Sequence, residues 1–461
     1  MSEGYRAAVD EAVAVGHRVI GLHASENGAV VRAALLAPDG TVSLETAAAE
    51  NGRVPSLVDV APAVAWDERE AADLYGLRFD GHEPLRPLVD HDLDLGRWTV
   101  PVRGHDAYQV AVGPIHAGVI ESGHFRFHVV GDRILHLDAR LFYKHRGLER
   151  AAEGRPLAEG LAYAQRACAA CAVSNSLAYA HACEDATGLA PPAELARART
   201  VLLELERVWS HLNDVSAICA GVGLAAGSTR FAALTERARR LNEALTGHRF
   251  LFGSVQVGGS ALVVGAAAAA AARAELTSFE EEARSGLREL RFNASFADRL
   301  PGVGVVTAAD ARALGATGPA ARASGLAEDA RATDGRFAYA GFVPAVPIAA
   351  SGDVEARLEQ RGLELRQSLA LLDDLLAGPL EPCAAEPGGE PGPIGIGRVE
   401  SPRGATLCIV ERSGDRVDRL RLRTGSYANW PVVAHAAAGN LVPDFPLINK
   451  SFELCYACAD R

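Results

Sequence analysis

The chain runs out through Leu454-Cys455-Tyr456-Ala457-Cys458-Ala459-Asp460-Arg461, and the same Cys-x-x-Cys spacing occurs far upstream in Arg166-Ala167-Cys168-Ala169-Ala170-Cys171. Four soft thiolates are how a protein holds zinc, an iron–sulfur cluster, or nickel and copper. A zinc ribbon keeps its two pairs within a few dozen residues, and Cys171 and Cys455 are much farther apart than that. Terminal residues fray unless they are tied down. A reactive pair at Cys455 and Cys458 therefore predicts a tail fastened by metal deep inside the fold.

Composition narrows the field. With 461 residues the chain can bury a large core and divide into about two or three domains. A net charge of −12 gives no basic footprint for nucleic acid, and lysine occurs only at Lys144 and Lys450. Eight cysteines in so long a chain do not make a disulfide scaffold, and the stretch from Met1 to Arg18 is polar and acidic rather than secretory. The expected compartment is reducing and cytoplasmic. The stretch from Phe250 to Ala272 carries no charge, but Gln256, its glycines and an alanine-rich second half predict a buried helix reached through a bend, not a membrane span. Any attachment to a membrane is then expected to run through partners.

Along the chain, residues 1–100 read as a small α+β domain, with strand-like runs at Arg18–Leu22 and Ala29–Ala37 and an acidic helix over Ala61–Gly76. The stretch Asp90–Val102 reads as a connector. Residues 101–461 read as a large helical bundle with flanking β elements, so the fold class is α+β. Its β-rich opening has a hairpin, His124–Val130 and Arg133–Asp138, turning at Gly131-Asp132. Helices are predicted over Leu157–Ala186, Pro192–Val222, Thr229–Phe252, Ala261–Leu290 and Gly352–Leu375, then a Pro/Gly-rich loop over Glu381–Gly397 and strands over Val399–Arg423. Placed on one long helix, Cys168 and Cys171 would share a face.

The stretch Trp66-Asp-Glu-Arg-Glu-Ala-Ala-Asp-Leu-Tyr-Gly-Leu-Arg-Phe-Asp-Gly-His82 strongly resembles the signature of the 30-kDa subunit of respiratory complex I. The remainder resembles the 49-kDa subunit and the large subunits of group 4, membrane-bound nickel–iron hydrogenases. The blocks that carry this are Gly113-Pro-Ile-His116, Ile120-Glu-Ser-Gly-His124, Lys144-His-Arg-Gly-Leu-Glu149, Arg299-Leu-Pro-Gly-Val-Gly304, Gly318-Pro-Ala-Ala-Arg-Ala-Ser-Gly325 and Ser401-Pro-Arg-Gly404, besides the terminal cysteine motif. The resemblance spans residues 60–461, and the fusion of both subunits in one chain looks like formate hydrogenlyase-type complexes. Complex I subunits have lost the cysteines, whereas this sequence keeps Cys168, Cys171, Cys455 and Cys458, which places it with the hydrogenase branch.

The resemblance implies a nickel–iron centre with carbon monoxide and cyanide on the iron. Cys168 and Cys455 would be terminal thiolates on nickel, with Cys171 and Cys458 bridging the metals. Glu121 would carry protons away from Cys455, and Arg403 would hold a guanidinium over the centre, within reach of a cyanide. The plainer readings are a salt bridge for Glu121 and an ordinary turn arginine for Arg403. Arg166 reads either as a family residue or as a helix-face ion pair. His116, His124 and His145 read as structural or interface histidines, and Cys183, Cys219, Cys383 and Cys408 as plain thiols. An iron–sulfur small subunit, integral membrane subunits and a formate dehydrogenase module are the implied partners, at the cytoplasmic side of the membrane.

Departures from the branch surround the ligands. Ala169-Ala170 stands where relatives have Gly-Ile, Asn175 where they have histidine, and Glu453-Leu454 where they have Asp-Pro. Asparagine donates a hydrogen bond but relays no proton, and groups around a ligand tune a metal strongly. In many relatives a protease removes an extension just after the residue that Arg461 occupies, so both a matured tail and a reading frame ending there are consistent with the sequence. Two functions follow: a catalytic hydrogenase subunit, or a coupling or scaffold subunit of a complex I-like assembly without hydrogen chemistry.

Overall fold

The computed structural model describes residues 2–91, 98–102, 104–116 and 121–461. Part of the expected connector, residues 92–97, and Ile120 of the resemblance lie outside them.

Near the N-terminus, helix α1 (Ser2–Ala14) packs on an antiparallel sheet in the order β1 (Arg18–Ser25), β2 (Val30–Leu36), β3 (Val42–Ala48). Strand alternation sends Val31, Ala33 and Leu35, together with Val19 and Leu22 on either side of a register shift in β1, into a core with Tyr5, Val9, Leu57 and Phe79. The opposite face is not solvated. Ala34 is buried there against Leu407 and Ile409, and Gly21 is a glycine because a Cβ would come within 2.7 Å of Arg423. Helix α2 (Ala65–Tyr75) follows and ends at Gly76, whose φ of 68° suits the left-handed cap.

An antiparallel sheet of β4 (Tyr108–Val112), β5 (His124–Val130) and β6 (Arg133–Arg140) opens the larger part. Next come α3 (Ala172–Thr187), α4 (Ala193–Val222), α5 (Ala225–Thr246), α6 (Ala266–Phe292) and α7 (Val354–Leu375). A second antiparallel sheet, β7 (Ile394–Ser401), β8 (Gly404–Ser413) and β9 (Arg416–Arg423), leads into α8 (Gly425–Ala437), α9 (Phe445–Phe452) and α10 (Tyr456–Asp460). The fold is α+β as expected. Helix α3 lies directly on β7, because at Gly397 a Cβ would meet the Ala178 carbonyl at 1.9 Å and at Gly395 the Ala182 carbonyl at 2.0 Å. The main core joins Leu177, Val201, Leu205, Trp209 and Leu212 to Leu369, Val399 and Val410.

The sequence expectations need three revisions. The helix expected over Leu157–Ala186 is two, Leu157–Gln165 and α3, broken where the first cysteine pair sits. The expected loop over Glu381–Gly397 already contains the start of β7; β3 was not anticipated because only Ala47 of it is buried, and α8 and α9 because their periodicity is buried nearly all round or short. The uncharged stretch before α6 forms a small hairpin, Val255–Gln256 with Gly259–Ser260. Among the described residues no helix is long and apolar enough to cross a membrane.

Candidate metal centre

Both cysteine pairs are built the same way, and neither lies on a continuous helix. Cys168 is extended, with φ −160° and ψ 136°, and its sulfur accepts from Ala170 N at 3.2 Å at the head of a single 3-10 turn that enters α3. Cys455 likewise caps α10, its sulfur accepting from Cys458 N at 3.3 Å. The same-face argument on a long helix is therefore replaced by paired caps, each turning its two sulfurs inward.

The four sulfurs converge. Those of Cys168, Cys455 and Cys458 all lie within 4.8 Å of one another, and Cys171 completes the buried cluster. None of the four residues is more than 8 % exposed, so the cluster is dry. Cys455 and Cys168 approach to 3.0 Å without a disulfide. Hydrogen bonds from Cys168 and Cys458 bring the Cys455 thiol down to about 6. Its hydrogen bond to Cys168 instead pushes Cys171 up to about 12. Bonds to Cys168, Cys171 and Cys455 hold Cys458 well above the usual thiol range. Cys455 thus ionises more readily than Cys171 and Cys458, which hold their protons. A soft cation at the centre reverses that order, since a coordinating thiol is deprotonated outright. An all-sulfur, desolvated donor set fits a soft transition-metal centre.

Around the sulfurs stand the charged groups. Arg403 sits in the turn between β7 and β8, where Ser401 Oγ accepts from its backbone N–H at 3.2 Å. Its Nε donates to the Glu453 carbonyl at 2.6 Å and its Nη1 to Ser210 Oγ at 2.9 Å, with Cys171 Sγ 4.0 Å away. Nη2 is 3.5 Å from Asp214. Burial alone would lower the guanidinium, but Asp214 and the thiols hold it well above its ordinary value. Glu453 adopts φ 47° after α9, a left-handed turn that costs a side-chain-bearing residue and sets its carbonyl against Arg403.

Glu121 lies on the other side. Its Oε2 accepts from Tyr456 N at 2.6 Å and Ala457 N at 3.0 Å, and Cys455 Sγ is 3.7 Å from Oε1. It is held by amides, and among the described residues no cation forms an ion pair with it. Asn175 Nδ2 reaches Cys458 Sγ at 3.7 Å rather than the nearer-in-sequence Cys171, while its Oδ1 is buried without a partner.

Two residues of this surrounding shell were missed in the sequence. Arg146 donates to the carbonyls of Arg166 at 3.0 Å, Ala167 at 2.9 Å and Ala457 at 3.2 Å, tying the backbones of both cysteine segments together. Its block was quoted for resemblance, but nothing in the motif marks a guanidinium aimed at carbonyls. Glu206 accepts from Val173 N at 2.6 Å and Ser174 N at 3.1 Å, capping α3 just behind Cys171. Burial, with Cys171 adding to it, pushes this carboxyl up to about 8. Its place in a helix that buries most of its surface was the available signal, since a buried glutamate needs a reason.

The remaining candidates stand apart from the sulfurs. The Arg166 guanidinium lies 5.2 Å from the Phe252 ring. His116 bonds the Gly123 carbonyl at 2.7 Å, His124 the Gly113 carbonyl at 3.1 Å, and His145 the Asp460 carbonyl at 2.7 Å. Cys183, Cys219 and Cys408 are buried in the main core as free thiols, and Cys383 is half-buried.

Two family models match the chain: the respiratory-chain NADH dehydrogenase 30 Kd subunit over residues 8–105 and the 49 Kd subunit over residues 222–385. Formate hydrogenlyase subunit 5 of Escherichia coli is 31 % identical over 439 residues, 88 % of this chain and 77 % of that protein. The carbon monoxide-induced hydrogenase of Rhodospirillum rubrum is 29 % identical, covering 77 % of this chain and 99 % of its own. Among solved structures, a chain of the membrane-bound sulfane sulfur reductase, an archaeal respiratory membrane complex, superposes with a TM-score of 0.71 at 27 % identity, covering 77 % of this chain and 99 % of that one.

Proposed function

Because the chain belongs to the family of group 4, membrane-bound hydrogenase large subunits that fuse 30-kDa-like and 49-kDa-like respiratory domains, we propose that it is the catalytic subunit of a nickel–iron hydrogenase interconverting dihydrogen with protons and electrons. The observation that carries this is the convergence of Cys168, Cys171, Cys455 and Cys458 in one dry cluster, with Arg403 on one side and Glu121 on the other. Cys168, Cys171, Cys455 and Cys458 would hold the metals, whose iron carries carbon monoxide and cyanide. When bound, such a centre supplies the redox site at which dihydrogen is split or formed.

The chain's own residues do the rest. Cys455 takes up a proton and passes it to Glu121, whose carboxylate is already oriented by the Tyr456 and Ala457 amides. Arg403, fixed at Nε by the Glu453 carbonyl, keeps a permanent positive charge and free donor capacity above Cys171. The division into residues 1–100 and 101–461 belongs to the same reading. So do an iron–sulfur small subunit, since no further cysteine set occurs here, integral membrane subunits and a formate dehydrogenase module. The subunit would sit at the cytoplasmic side of the membrane, attached through those partners. The test is metal analysis with infrared spectroscopy on the complex purified anaerobically from cells with adequate nickel and maturation machinery. About one nickel per chain and bands of iron-bound carbon monoxide and cyanide are expected for four thiolates. A nickel-free complex without those bands ends the hydrogenase reading.

A second reading, a coupling subunit without hydrogen chemistry, draws on the altered Ala169, Ala170, Asn175, Glu453 and Leu454 and on the likeness to a sulfur-reducing complex. Asn175→His tests how much one of these departures weighs on turnover. Histidine opposite Cys458 would add a stronger donor and a proton relay, so turnover is expected to rise, by up to roughly tenfold, at equal nickel content. Equal loading with unchanged or lower turnover shows that this departure does not limit the enzyme.

A further inference from the structure

Helix α10, with Cys455 at its cap and Cys458 within it, spans only Tyr456–Asp460. A helix that short has no stability of its own and takes its position entirely from tertiary anchors. One anchor is inside the site, where Glu121 accepts from the Tyr456 and Ala457 amides. Others come from the loop after β6: Phe142 N and Lys144 N donate to Asp460 at 2.7 and 2.9 Å, and Arg146 N donates to the Arg461 carbonyl at 2.6 Å.

A further anchor crosses from the N-terminal part. Arg461 is 1 % exposed, and its Nη2 lies 2.5 Å from Glu70 of α2. Its Nη1 donates to the Leu422 carbonyl at 2.8 Å, its guanidinium stacks 4.6 Å over the Tyr427 ring, and Glu149 is 3.4 Å from Nε. Glu70 also takes Arg421 at 2.8 Å. The neighbouring carboxylate of α2, Asp67, pairs with Arg421 and Arg423, and no ion pair joins it to Arg461. Two guanidiniums therefore share Glu70 in a buried place, and removing that carboxylate leaves Arg461 with the more distant Glu149. A buried charge that loses its partner is strongly destabilising.

We propose that Glu70 is a positioning residue: by holding Arg461 it lets the 30-kDa-like domain seat the helix that presents Cys455 and Cys458. The consequence for metal rests on the proposed nickel–iron reading, whereas the clamp itself is read from the tail. Fusing the two domains then has a direct role at the site, because the first domain closes the ligand-bearing tail of the second.

The test is amide hydrogen exchange over residues 456–461 in the purified complex, with nickel content measured on the same samples. Glu70→Ala is expected to speed exchange there by about tenfold or more, and Arg461→Ala to do the same. Because both remove the Glu70–Arg461 pair, the double variant should exchange more slowly than the product of the two single effects predicts. Asp67→Asn, which cuts the pairs to Arg421 and Arg423 but leaves Arg461 on Glu70, should loosen the tail much less than Glu70→Ala does. Unchanged exchange in Glu70→Ala, multiplying effects in the double variant, or equal loosening by Asp67→Asn overturns the proposal. Should the alanine variants fail to fold, Glu70→Gln and Arg461→Lys keep side-chain volume and carry the same comparison with a smaller rise. A parent complex without nickel but with a clamped tail removes the hydrogenase reading and leaves the clamp. A nickel-loaded parent whose tail ignores Glu70 does the reverse.

Discussion

Cys458→Ser is expected to strip the complex of nickel to less than about a tenth of the parent content and to abolish the infrared bands of iron-bound carbon monoxide and cyanide. The Cys458 sulfur lies within 4.8 Å of both Cys168 and Cys455 and receives the Asn175 amide, so it stands among the other donors rather than at their margin. A serine hydroxyl is hard and stays protonated at neutral pH, whereas the centre demands an ionised soft donor. Cys171→Ser should behave alike, since that sulfur closes the cluster beneath Arg403. Cys383→Ser is the control: Cys383 is half-buried and bonds only a neighbouring carbonyl, at 3.8 Å, so metal content should not move. Parent-level nickel and intact bands in the Cys458 variant would remove that sulfur from the ligand set.

Much of the site was legible because its chemistry is written in residue types that have few other uses. Paired cysteines that meet in a buried place point to a metal, and the structure brings all four together with Glu121 and Arg403. The local conformation was less legible. An alanine-rich run from Leu157 reads as one helix, since alanine favours helix everywhere, and only packing shows that it breaks at Cys168 to let a sulfur cap the next turn. Strand alternation in β1 was likewise obscured because both faces are buried, one by its own helices and the other by β8. The least legible residues act through the backbone. Arg146 addresses three carbonyls and Glu206 two amides, and those partners are identical in every residue type, so no spacing rule identifies them. Glu70 was quoted within a family signature, yet its partner Arg461 lies at the far end of the chain. Contacts of such sequence separation are decided by the fold as a whole.

Glu121→Gln is the sharper test of proton movement. Glutamine keeps the length and one carbonyl acceptor, so it can still receive an amide from Tyr456 or Ala457 and hold the start of α10 in place. What it loses is an oxygen able to take and return a proton 3.7 Å from the Cys455 sulfur. Turnover is expected to fall by about two orders of magnitude or more, the general scale for losing a positioned acid–base group, with nickel content and infrared bands at parent levels. Glu121→Asp adds a geometric check. One methylene fewer retracts the carboxylate either from the amides or from the thiol, so it cannot serve both, and its turnover should fall between the parent and the glutamine variant. If the glutamine variant instead loses its metal, Glu121 is chiefly the cap of α10 and its amide bonds matter more than its proton. If it turns over at the parent rate with metal intact, the carboxylate plays no part in proton transfer and the exit from Cys455 runs by another route.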